Sequence, residues 1–165
     1  MRARFIPAIL TIFYFSTVMA QFVDPEMVRF AEKFKKALMA QQVDSLIALK
    51  PTPEIWRKLY PAETRKMKDE DIIRNINKNE KTIEDYNNII ESAKQEKVNL
   101  AGLQYVSYKL NDSPDGKMFS AEIKYKYGGR DEVVFSFSLV RYETTFYLNE
   151  ILLSYEIFKR YYFNR

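Results

Sequence analysis

The chain contains no cysteine and no histidine among its 165 residues. Without cysteine there is no disulfide, no thiol chemistry and no bacterial lipoprotein anchor, so stability must come from a packed core. Without histidine the commonest general base and the commonest transition-metal ligand are missing. A Ser-His-Asp triad, a Cys-His dyad, a histidine-bearing zinc site and a haem–histidine site are therefore impossible within this chain. Carboxylate, lysine, tyrosine or arginine chemistry is what remains. No metal and no cofactor is expected: calcium-loop spacing is absent, and Asp69, Glu70 and Asp71 fall at a helix start, where the helix dipole accounts for them. A strong charge excess is lacking too, with 26 basic residues against 22 acidic. Nucleic-acid binding needs a concentrated basic face, so no nucleic-acid partner is expected.

A long hydrophobic run is nearly absent, and the one that exists sits at the start. Arg2 and Arg4 precede Phe5 to Met19, which is apolar apart from Pro7, Thr11, Ser16 and Thr17. Val18-Met19-Ala20 puts small residues where an export signal is cut, leaving Gln21 as the new N-terminus. The alternative is a retained anchor. A spanning helix needs about 20 apolar residues, and this run is shorter and carries Pro7, which favours cleavage. Residues 1–20 are thus read as a cleaved signal peptide and 21–165 as a single domain, secreted or periplasmic, with no membrane span after cleavage. Removing 20 residues from 165 leaves 145, enough for a core, and removing Arg2 and Arg4 leaves 24 basic against 22 acidic residues, a net charge of +2.

Asp24-Pro25-Glu26 is a helix start, with Asp as N-cap, Pro at the first position and an acid in the first turn. Met27, Phe30, Ala31, Phe34 and Leu38 then form one apolar stripe, and Lys33, Lys35 and Lys36 lie mostly off it as a solvated face. Asp44 to Ile47 suggests a short helical turn. Thr52 caps a further helix carrying Ile55, Trp56, Leu59 and Tyr60, which Pro61 ends. A long helix is expected over roughly Asp69 to Lys97. Its apolar residues Ile72, Ile76, Ile83, Tyr86, Ile90 and Ala93 are interrupted at Asn79, which suits packing across a sheet better than a coiled coil. Glu84 and Asp85 are assigned to its exposed side.

From Gly102 the period changes to two. Strands are expected over 102–110, 118–127, 131–142 and 145–157, with a turn cluster at Asn111 to Gly116. Phe119, Ala121, Ile123, Tyr125 and Tyr127 face one way, and Glu122, Lys124 and Lys126 the other. A two-residue Gly128-Gly129 loop would set Lys124 opposite Val133. A Gly128-Gly129-Arg130 loop sets Tyr125 on Val133, Ile123 on Phe135, Ala121 on Phe137, Phe119 on Leu139 and Lys126 against Glu132. A one-residue slip turns every side chain to the other face, so the second register is preferred. The fold class is α+β: N-terminal helices, including one long helix, packed on a curved four-stranded antiparallel meander.

Three segments resemble a known group. Leu49-Lys50-Pro51-Thr52-Pro53-Glu54 looks like a Pro-Thr break after the first helices. Glu122 to Gly129 looks like a central hairpin, and Phe146-Tyr147-Leu148 stands where Trp-Tyr-Leu is common. Together they resemble small exported bacterial proteins of uncharacterised function with the cone-shaped superfold of nuclear transport factor 2, SnoaL-like enzymes and ketosteroid isomerases. The chain departs from that pattern: Glu143-Thr144-Thr145 replaces a Gly-Lys turn, Phe146 replaces the Trp, and the long helix exceeds the usual length. The resemblance implies a fold and no particular activity.

A cone with Tyr105, Tyr125, Tyr127, Phe135 and Phe137 along its concave face would hold a small apolar ligand; the plainer reading is that these rings are the core. Glu150 is the conditional catalytic candidate. If Glu143-Thr144 closes a two-residue loop, Leu139 faces Leu148 and Phe137 faces Glu150, aiming a carboxylate inward. A bulge near Asn149 would instead turn Ile151 and Leu153 inward and Glu150 to solvent, and the cost of a buried unpaired carboxylate favours the bulge. The tail Lys159 to Arg165 mixes cations and aromatics, suiting either an anionic surface or glycan, or a plain terminus. Three functions stay open: a non-enzymatic exported module binding a small apolar ligand or a protein partner, a carboxylate- and tyrosine-dependent isomerase or dehydratase, and an envelope structural or inhibitor-like protein.

Overall fold

The computed structural model describes residues 23–77, 80–112, 116–128, 131–153 and 157–158. The signal-like segment, Asn79, part of the 111–116 turn cluster and the 159–165 tail lie outside the described residues.

Helix α1 (Pro25–Ala40) begins as its sequence dictates: Asp24 Oδ1 accepts from the Glu26 amide at 2.9 Å, and Pro25 occupies the first turn. It ends at Gln41 in the left-handed conformation, φ 53°. Helix α2 (Val43–Ile47) follows, then α3 (Pro53–Leu59), whose N-cap Thr52 accepts from the Ile55 amide. Pro61 both stops α3 and opens the short α4 (Pro61–Thr64), the two uses its fixed φ allows. Arg57 ties this region together by donating to the carbonyls of Thr64 and Met67 and to Asp69 Oδ1.

The single long helix expected over 69–97 is instead two helices, α5 (Asp69–Asn77) and α6 (Glu80–Gln95). They serve different surfaces: α5 lies against α3, and α6 lies against α2 and the last strand. Arg74 pairs with Asp71, three residues before it, at 3.0 Å. Lys97, at φ 54°, ends α6 in a Schellman closure, with the Val98 amide donating to the Ala93 carbonyl at 2.7 Å. A 3-10 turn (Leu100–Gly102) leads into the sheet.

Strands β1 (Gln104–Asp112), β2 (Met118–Tyr127), β3 (Asp131–Tyr142) and β4 (Thr145–Leu153) form one open, curved antiparallel sheet in chain order. The β2–β3 register is the one that buries the apolar set: Tyr125 on Val133, Ile123 on Phe135, Ala121 on Phe137, Phe119 on Leu139, and Lys126 on Glu132. The strand expected to reach residue 157 ends at Leu153, and the first strand runs over 104–112 instead of 102–110. Farther on, Phe158 is fully buried, its ring 5.3 Å from Tyr127 and 6.0 Å from Phe135.

Helix α1 lies across the concave face. Phe34 sits edge-on to Phe135 and Phe137 at 5.3 and 4.7 Å, and Phe30 edge-on to Phe137 at 5.5 Å. A smaller cluster covers one end of the convex face. Val140 points away from the core yet is fully buried, Lys58 stands over the Tyr142 ring, and Lys117 Nζ donates to the Leu59 carbonyl at 2.9 Å.

Candidate functional site

The concave face is packed with its own rings. Tyr125, Phe135 and Phe137 have no exposed surface, Tyr127 is buried, and Tyr105 is half-buried against the same cluster. Edge-to-face contacts join Tyr105 to Tyr125 and Tyr125 to Phe135 at 6.4 and 5.6 Å, geometry that aromatic pairs favour. Tyr125 also donates its hydroxyl to the Ala31 carbonyl at 2.7 Å. Burial, helped by Glu32 and then Tyr105, pushes that phenol above its ordinary range, so it remains a protonated donor. The five residues expected along a ligand-holding concave face are thus brought together, and α1 occupies the space they enclose.

Glu150 is not among them. The β3–β4 register slips between Leu139, opposite Leu148, and Ser138, opposite Glu150, which makes Asn149 the bulged residue. Phe137 then meets Ile151, which is fully buried, and Glu150 stands half-buried on the convex side beside Ser138. No tyrosine of the concave face shares its side of the sheet.

What Glu150 does approach is Lys50. This lysine is only 6% exposed, and its ammonium donates to the carbonyls of Ile76 at 2.8 Å and Asn149 at 3.4 Å. Burial lowers its pKa, and the Glu150 carboxylate pulls it back up. The preceding residue completes the clamp: the Leu148 amide donates to the Leu49 carbonyl at 2.8 Å. The pair Leu49-Lys50 thereby covers the β4 margin and links it to the end of α5. Neither role has a local sequence signature, since Lys50 reads as one more solvated charge.

Asp85, expected on the exposed side of the long helix, is instead 1% exposed on α6 and forms an ion pair with Lys81 at 2.7 Å. It neighbours Tyr86, which turns into the core to donate to the Ala37 carbonyl at 2.6 Å. One helical step carries Asp85 to the flank of that buried face. Thr82, one turn earlier, is fully buried with no partner for its hydroxyl among the described residues. Among the described residues no group of acids is gathered as a metal ion would require, and no helix is long and apolar enough to cross a membrane.

A groove of about 560 Å³ lies beside β1, bounded by Val23 and by every residue from Tyr105 to Asn111. Successive side chains of a strand point to opposite faces. A hollow touched by all of them therefore runs along the strand's margin and not over one face. β1 is a sheet edge, with β2 on one side and no described strand on the other. Val23 is 56% exposed and Val106 40% exposed, and Val106 is the bulged residue of the β1–β2 ladder. The Asp24 amide donates to the Tyr108 hydroxyl at 2.7 Å, which fixes the start of α1 at the groove's rim. Burial, with Tyr108 nearby, raises the Tyr105 phenol pKa.

No protein-family model, no curated protein and no solved structure matches the chain.

Proposed function

We propose that the chain is an exported, non-enzymatic interaction module that binds a protein partner at the β1 edge. The observation that carries this reading is the division of labour in the sheet. Its concave face is filled by α1, while its β1 edge borders a groove of about 560 Å³ and has no described strand beside it. Glu150, on the convex side, lends no support to carboxylate and tyrosine chemistry inside a cone. Helices preceding a curved sheet are also what the nuclear transport factor 2-like superfold would supply, and that likeness remains part of the proposal. Export rests on the arginines and short apolar run before Ala20. Intact mass of material collected outside the cytoplasm should show a chain beginning at Gln21, and full-length chain in the membrane fraction would refute cleavage there.

The binding reading is tested with a photo-reactive phenylalanine analogue placed in turn at Val106, in the groove, and at Ile73 and Val134, exposed elsewhere. Irradiation in the native host should give a discrete adduct from Val106 alone. Equal adducts from all three positions, or none from Val106, would contradict it.

A further inference from the structure

We infer that the occupant of the groove is an extended acidic peptide segment, added to β1 as a fifth strand. This rests on the reading of the β1 edge as the binding site and goes on to specify what binds there. Ser107 to Asp112 pairs with Lys124 to Phe119 without interruption, and the bulge at Val106 ends the regular stretch. Six residues of even edge suit a short strand, whose main chain supplies the hydrogen bonds while alternate side chains supply selectivity.

The charges beside this edge set the sign. On the convex face Lys109 is the cation of β1, its side chain 80% exposed, and its contact with Glu122 is long at 3.8 Å. Lys124 and Lys126 follow on β2, while Glu132 is held by Lys124 at 3.0 Å. An acidic side chain on an added strand would stand opposite Lys109. Its neighbours, pointing to the other face, would meet the exposed Val23 and the half-buried Leu110, and only the last position of the stretch would meet an acid, the exposed Asp112. The fitting segment therefore alternates apolar and acidic residues.

The same charges disfavour a second copy of this chain. Two-fold antiparallel pairing of β1 with itself within this stretch, keeping faces matched, puts the two Lys109 side chains directly opposite or on the adjacent diagonal. Like charges at those positions repel. A lysine and a bulge on an edge strand are common guards against self-pairing.

The test uses the isotope-labelled protein and capped hexapeptides that alternate valine and threonine, with one outward threonine replaced by glutamate or by lysine. The glutamate peptide should shift the amide signals of 105–111 and bind about threefold more tightly than the lysine peptide, the scale of one exposed charge pair. Lys109→Glu should reverse that preference and Lys109→Ser should erase it; the second variant guards against misfolding of the first. N-methylation of alternate peptide amides should weaken binding at least about tenfold in one of the two possible patterns and little in the other, because only one edge of an added strand is hydrogen-bonded. Binding at 105–111 with no charge preference, or with both N-methylation patterns tolerated, overturns the inference and leaves the groove reading standing. Shifts confined to the crevice near Met39 and Val98, or no shift at all, overturn the groove reading itself.

Discussion

The two margins of the sheet are built in opposite ways. At β4 the chain comes back to cover the edge: Leu49 accepts from the Leu148 amide, Lys50 reaches the bulged Asn149, and α6 lies alongside. At β1 no described strand or helix covers the edge, and it is guarded by a bulge at Val106 and an exposed Lys109. An uncovered edge is a hazard that folded proteins manage by covering it or by making it a poor partner for copies of itself. Here both solutions occur in one sheet. The covered edge joins the core, and the guarded edge keeps its backbone within reach of a partner.

The centre that both edges share sets the scale of the effects to be measured. Ile123 is fully buried opposite Phe135, so Ile123→Asp puts an unpaired charge into the core and should cost several kcal/mol. Lys124→Asp, one residue on but facing outward, should cost about 1 kcal/mol or less even though it loses the Glu132 pair. Equal shifts in denaturation midpoint would mean that the register is wrong.

Proline separates the two edges directly. Leu148→Pro removes the amide that meets Leu49 and disturbs a fully buried side chain, and it should cost about 3 kcal/mol or more. Val106→Pro falls at an exposed bulge of the other edge, where proline is tolerated, and should cost less than about 1 kcal/mol. Comparable losses in chemical denaturation would erase the contrast.

Lys50→Met sharpens the account of the covered edge. It leaves the Ile76 and Asn149 carbonyls without their donor and should cost about 1–3 kcal/mol near neutral pH. The pH dependence has a definite sign. The folded-state pKa of Lys50 lies below its ordinary 10.5, so between the two values the unfolded chain holds more protons than the folded one. The parent should therefore gain stability as pH rises through that window, and Lys50→Met should lack this gain. Glu150→Gln is the smallest change. It removes the carboxylate that favours the charged amine, so the Lys50 window should begin at lower pH, with a stability change below about 1 kcal/mol at neutral pH. A Glu150→Gln profile identical to the parent's would place the carboxylate out of range of Lys50.

Much of the centre could be read in advance because its signals are local or strictly periodic. The Asp24 and Thr52 caps, the α1 stripe and the β2–β3 register all follow from spacing within a few residues or from strict alternation. The bulge at Asn149 followed from one energetic argument, that a carboxylate should not face Phe137. The margins were not legible. That Leu49 would pair with Leu148, or that Lys50 would be buried, depends on contacts about a hundred residues apart, which leave no pattern in either segment. The split of the long helix was only half legible: the apolar spacing lapses at Asn79 but resumes at Ile83 and Tyr86, a pattern that suits one interrupted helix as well as two. The groove has no local signature because it belongs to an edge, and which strand is an edge is a property of the whole topology.

Amide hydrogen exchange, read residue by residue, tests the contrast between the edges most directly. The Leu148 amide, committed to Leu49, should exchange only with global unfolding, as slowly as Ile123 in the core. Amides of β1 that face away from β2 should exchange orders of magnitude faster, and should slow once the glutamate peptide is bound. Equally slow exchange along both margins in the free protein would contradict the account, because β1 would then already be covered and have no edge to offer.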